Sequence, residues 1–131
     1  MKLLIVNPNI SHSVTELIAD EARRSASVGT ELTLHTANFG VAYIETRAEA
    51  VIGAYAALRE LTEHHCGHDA AVVAAFSDPG LEAAREILPI PVVGLTESTL
   101  MSAAMLGGES GLWLFPGVFA LGTAKPWIAT V

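Results

Sequence analysis

Hydrophobic and polar positions alternate in blocks along the chain, and the blocks predict βα units. Lys2 to Val6 is a continuous apolar run closed by Asn7-Pro8-Asn9, the pattern of a strand buried on both faces and ended by turn formers. Ser13-Val14-Thr15-Glu16 has capping-box spacing, and Val14, Leu17, Ile18 and Ala22 recur at helical intervals until Gly29. Glu31 to Thr36 alternates apolar and polar residues and predicts a second strand nearer an edge, followed by a loop over 37–45. Thr46 to Cys66 reads as a long helix with Ala50, Val51, Ala54, Ala57, Leu58 and Leu61 on its buried face and Gly67 as its stop. Ala70 to Phe76 is a third strand, Leu81 to Ile87 a short helix, Pro91 to Leu95 a fourth strand, and Thr96 to Leu106 a helix ending at Gly107-Gly108.

Alternating βα units imply a parallel sheet with right-handed crossovers. The predicted fold is therefore α/β: one lobe over 1–108 with a four-stranded parallel sheet flanked by helices. The segment 109–131 differs in character. It has almost no charge, and Trp113, Pro116, Gly117, Gly122, Pro126 and Trp127 break any period, so it is expected to be irregular, with room for short strands at 112–115 and 118–121.

In open parallel sheets ligands bind beyond the carboxyl ends of the strands, where helix N-termini present N–H groups and a partial positive charge. Three such ends carry suitable side chains: Asn9 and Ser11 after the first strand, Phe76 and Ser77 after the third, and Thr96 with Glu97 after the fourth. The plainer reading of Asn9, Ser11, Ser77, Asp78, Thr96 and Ser98 is that they cap helices, with Pro79 in a first turn. Glu97 is a candidate acid or base, though a carboxylate at a helix start also complements the dipole. Tyr43 and Glu45 are placed to reach over the rim as a lid, or Tyr43 simply to pack as a loop aromatic.

Composition narrows the partners. Fourteen acidic against seven basic residues, with five Arg and two Lys scattered, disfavour nucleic acid. The turn after the first strand has neither the glycines nor the Lys of a phosphate loop. The longest apolar run, 112–121, is far below the roughly 20 residues needed to cross a bilayer. Cys66 is the single cysteine and the N-terminus begins as a strand, so a cytoplasmic protein is expected. At 51% hydrophobic residues, part of the apolar surface is expected to form a homo-oligomer interface. His64-His65-Cys66-Gly67-His68 looks like a metal cluster, but consecutive residues at a helix end point in different directions; a solvated helix end is the better reading, and no metal is expected.

Three stretches carry a resemblance: residues 1–9, the pattern Val72-Val73-Ala74-Ala75-Phe76-Ser77-Asp78-Pro79-Gly80-Leu81-Glu82-Ala83-Ala84-Arg85-Glu86, and Pro91-Val92-Val93-Gly94-Leu95 with Glu97 and Ala103 to Gly108. Together they resemble the N-terminal half of the Asp/Glu/hydantoin racemase family, nearest its hydantoin and allantoin branch. The resemblance implies a cofactor-independent isomerase with two similar lobes and one cysteine per lobe. One thiolate takes the α-proton and the opposite thiol returns a proton to the other face, which suits groups that change protonation near neutral pH. It also implies a small-molecule ligand, a hydantoin, ureide or acidic amino acid, contacted by Asn9, Ser11, Phe76, Ser77, Thr96 and Glu97.

Two departures follow. The family's first cysteine falls at Ala75, whose methyl group neither takes nor gives a proton, and this chain holds no second lobe. No catalytic residue transfers, and weak or absent racemase activity is the expectation. The alternatives are a non-catalytic binding module for a small carboxylate or ureide, or a truncated product without function.

Overall fold

The computed structural model describes residues 1–106 together with strands 111–115 and 118–122. Strands β1 (Lys2–Asn7), β2 (Glu31–Thr36), β3 (Ala70–Val73) and β4 (Val92–Gly94) form a parallel sheet in the order β2-β1-β3-β4. Helices α1 (His12–Ser25), α2 (Arg47–His64), α3 (Leu81–Ile87) and α4 (Leu95–Met105) alternate with them. The expected fold class is therefore observed, with β2 at an edge. Within 109–131, β5 (Gly111–Phe115) and β6 (Val118–Gly122) pair antiparallel, so the two short runs are strands; the remainder of that segment lies outside the described residues.

One face of the sheet carries the main core. Leu4, Val6, Ala71, Val73 and Val92 pack under Ala57 and Leu61 of α2 and Leu81, Ala84 and Leu88 of α3. Because side chains alternate across a strand, Leu4 and Val6 share this face with Thr33 and His35 of β2, whereas Thr36 turns to the other face and meets Thr15 of α1 at 2.6 Å.

The buried face of α2 keeps Ala57 and Leu61 as expected, with Leu58 packed against the core, but it is extended by residues the pattern did not mark. Gly53, Ala56, Ala57, Glu60 and Leu61 are buried, while Val51 is 71% exposed. Small residues let the helix axis approach the sheet, so backbone proximity rather than side-chain size sets its rotation. A template that scores bulk misses this, and it cannot anticipate a buried Glu60.

Two helix starts also depart from expectation. Thr46 and Glu49 form a true capping box on α2, but α1 begins at His12 with Ser11 as N-cap and no side-chain bond, so Ser13 and Glu16 do not cap it. Helix α3 starts from Gly80 in the left-handed region (φ 81°), where an added Cβ would lie 2.7 Å from the Ala54 carbonyl oxygen. Only glycine meets both demands, the backbone conformation and the close approach to α2.

Candidate functional site at the carboxyl rim

The chain leaves β1 toward β2 and leaves β3 toward β4, in opposite directions. Strand order thus reverses between β1 and β3, and a crevice opens beyond their carboxyl ends. Adjacent strands lie about 4.8 Å apart, so the loops 8–11 and 74–80 start side by side; the Ala74 N–H to Val6 carbonyl bond (2.8 Å) is the last rung between them.

The β1 side is built on two consecutive Asx turns. The Asn9 N–H donates to Asn7 Oδ1 (3.2 Å) and the Ser11 N–H to Asn9 Oδ1 (3.0 Å). Asn7, 1% exposed, directs its amide nitrogen at Asn9 Oδ1, the Ser11 carbonyl and Thr15 Oγ1. Asn7 therefore holds the loop from beneath and Asn9 forms its wall. Asn9 is 7% exposed, its oxygen is used twice, and its Nδ2 has no partner among the described residues. Sequence reading placed Asn7 in the turn and missed its burial, which depends on α1 closing over it. Asn7→Ala should cost about 2–3 kcal/mol, because it also strips partners from buried groups around it; a lower urea midpoint at unchanged m would show it.

The β3 side is a lock between two loops. Ala75 is part-buried just beyond the strand end, and its carbonyl accepts the Asp78 N–H (3.2 Å) across a tight turn. Ser77 and Asp78 both have positive φ, 70° and 47°, a conformation that costs non-glycine residues energy and persists only where the surroundings impose it. Here the surroundings are α4. The Asp78 carboxylate accepts the Thr96 N–H through Oδ1 and the Glu97 N–H through Oδ2, both at 2.8 Å, and Thr96 Oγ1 accepts the Ser77 N–H at 2.8 Å. Gly94 makes room, since a Cβ there would sit 2.3 Å from Asp78 Cγ.

This geometry redistributes the six candidate residues. Asn9, Ser11, Phe76 and Ser77 stand on the loops beside the crevice. Thr96 is 8% exposed and engaged with Ser77. Glu97 turns away into a two-pronged pair with Arg85 (2.6 and 2.8 Å), whose Nε also holds the Val92 carbonyl at 2.9 Å. That hydrogen-bonded guanidinium keeps the Glu97 carboxyl below the usual carboxylate range, the opposite of a group tuned to hold a proton near neutrality.

The helix starts differ too. Asp78 fills that of α4 from within the chain, and at α3 the Leu81 N–H goes to the Asp78 carbonyl (3.1 Å) while the Glu82 and Ala83 N–H groups have no acceptor among the described residues. Helix α1 is left open: it has no side-chain cap and no acidic residue in its first turn, and the N–H groups of His12, Ser13 and Val14 have no acceptor among the described residues. The Ser11 and Ser13 hydroxyls, 3.0 Å apart, flank it.

The 37–45 loop is stitched to this rim through the Ile10 N–H to Val41 carbonyl bond (3.0 Å). Tyr43, expected as a lid or a partly buried aromatic, is 58% exposed. Cys66 is exposed beyond the end of α2. Residues with metal-ligand geometry are absent from the rim among those described; the group that has it, His35, Glu60 and His64, lies on the α2 face.

The family model for Asp/Glu/hydantoin racemases matches residues 3–113. The chain belongs to the Asp/Glu/hydantoin racemase family. As a member of it, the chain is 34% identical over 121 residues to a hydantoin racemase of Paenarthrobacter aurescens, a match spanning 90% of this chain and 51% of that protein. It is 32% identical over 132 residues to a hydantoin racemase of Pseudomonas sp. strain NS671, spanning 100% and 49%. Its lobe superposes on an allantoin racemase from Klebsiella pneumoniae with a TM-score of 0.77 at 37% identity, covering 80% of this chain and 43% of that one. An allantoin racemase from Pseudomonas fluorescens gives 0.78 at 36%, covering 82% and 46%. The chain thus spans about half the length of the racemases it matches and corresponds to their N-terminal lobe.

Proposed function

We propose that this racemase lobe binds a small carboxylate or ureide, such as a hydantoin or an acidic amino acid, at the β1/β3 crevice, and that it transfers no proton of its own. The observation that carries the binding is the open N-terminus of α1 beside the Asn9 amide, whose Nδ2 faces the solvent side of the rim. Unpaired N–H groups, a helix dipole and an unpartnered Nδ2 converge where a carboxylate or ring carbonyl is recognised. Ser11, Phe76 and Ser77 complete the contact surface, with Thr96 and Glu97 supporting it from behind through Ser77 and Arg85. Racemisation by this family's chemistry moves a proton between side chains and the α-carbon without a cofactor. Ala75, in the loop just after β3 where the resemblance places a thiol, offers no group for that step.

A second copy of the chain is supported by apolar side chains left exposed along β4 and α4: Val93, Leu95, Met101 and Met105. A dimer across this edge would cover the crevice from the open side.

The test is thermal. Millimolar hydantoin, allantoin or aspartate should raise the melting temperature of the full chain by a few degrees, and Asn9→Ala should abolish the rise measured against its own ligand-free value, which falls because Asn7 Nδ2 and the Ser11 N–H lose an acceptor. No rise with any of the three would refute the proposal.

A further inference from the structure

Glu60 is 3% exposed, carries a carboxylate, and has no Lys or Arg partner among the described residues. Its Oε1 accepts a single backbone bond, from the Asn38 N–H at 3.3 Å. Its Oε2 faces two imidazoles, His64 Nε2 at 3.4 Å and His35 Nδ1 at 3.7 Å. Both distances exceed the about 2.7–2.9 Å of a charge-assisted N–H to carboxylate bond. They are instead close to the separation of roughly 3.3–3.5 Å between atoms held about 2.0–2.2 Å from a shared tetrahedral ion.

We propose that His35, Glu60 and His64 form a binding site for one divalent transition-metal ion of the zinc class, clipping edge strand β2 to helix α2. The three donor atoms lie within 4.8 Å of one another and come from two elements joined by a 10-residue stretch, 37–46 by number. Glu60 and His64 are one helical turn apart, so both project to the same side of α2. Two imidazoles with one carboxylate select zinc, cobalt or nickel over calcium and magnesium, which prefer all-oxygen shells. Both histidine side chains are about one-third exposed, 29% and 32%, leaving a fourth position for water. The rings are stacked with centroids 3.8 Å apart, and ligation would splay them, which this exposure permits. A bound ion would supply the positive charge that the buried carboxylate otherwise lacks. Through the Asn38 bond it would also fix the start of the 37–45 loop at the rim.

The experiment uses the full, untagged chain after chelator treatment and dialysis. Titration calorimetry with Zn²⁺ should show one saturable site, and the melting temperature should rise by about 5 °C or more at a hundredfold excess over Kd, with Ca²⁺ and Mg²⁺ inert. His35→Ala, His64→Ala and the near-isosteric Glu60→Gln should each weaken binding at least about 100-fold, because even outer-shell substitutions cost 10–100-fold. A variant carrying His65→Ala, Cys66→Ser and His68→Ala should bind as the parent does. Co²⁺ should give tetrahedral ligand-field bands without thiolate charge transfer, a signature that needs no variant. The proposal is overturned by absence of saturable Zn²⁺ binding, by unchanged affinity in His35→Ala and His64→Ala, or by a thiolate band that places the ion at Cys66.

Discussion

Ala75→Cys should turn on deuterium exchange at the α-carbon of a bound hydantoin, at least about 100-fold above the unmodified chain, which itself should exchange no faster than buffer. The position lies two residues beyond the end of β3, on the same rim as the open α1 N-terminus, and such a setting favours the thiolate form. The exchange should affect one enantiomer and proceed with retention. A single thiol removes and returns protons on the same face, and Cys66, exposed beyond the end of α2, offers no second hand. Proton NMR in D₂O combined with chiral chromatography reads both quantities. Equal exchange by the parent and by Ala75→Cys would show that position 75 is not where the proton would move. Exchange with full inversion would show that the other face is served from within this chain or its copy.

Asp78→Ala should cost about 2–4 kcal/mol, since one carboxylate holds two backbone N–H groups at the start of α4 and keeps Ser77 and Asp78 itself in left-handed conformations. Gly94→Ala should cost a similar amount for the opposite reason: its new Cβ drives into the same carboxylate. The two effects share one atom group, so they should not add. With the carboxylate gone the methyl has room, and the double variant should be more stable than the sum of the single costs predicts by about 1.5–3 kcal/mol. Urea denaturation of the four proteins closes this cycle. Additivity within about 0.5 kcal/mol would mean that Gly94 serves something other than Asp78.

The strands and helices were legible because their signals are local. A continuous apolar run closed by Asn7-Pro8-Asn9 reads as a buried strand whatever lies around it, and the alternation in Glu31 to Thr36 marks an edge. Boundaries moved where a loop was tied from elsewhere. β3 ends at Val73 rather than Phe76, because Asp78 pulls the chain into turns toward α4, and α4 begins one residue early at Leu95. The rim residues were legible as a set, since polar residues after parallel strands must gather at one end of the sheet. Their division of labour was not: Asp78 reads as the cap of its own helix, and only the fold brings it to the start of another.

The sequence by itself determined the α/β alternation, the parallel sheet, the three rim segments and the methyl group at position 75, since each depends on residue type and short spacing. Tertiary structure alone decided which helix starts stay open, which way Glu97 faces, and that His35 meets Glu60 and His64 across 25 or more positions of chain. Those outcomes depend on which elements pack together, and packing joins residues whose separation along the chain carries no periodic signal.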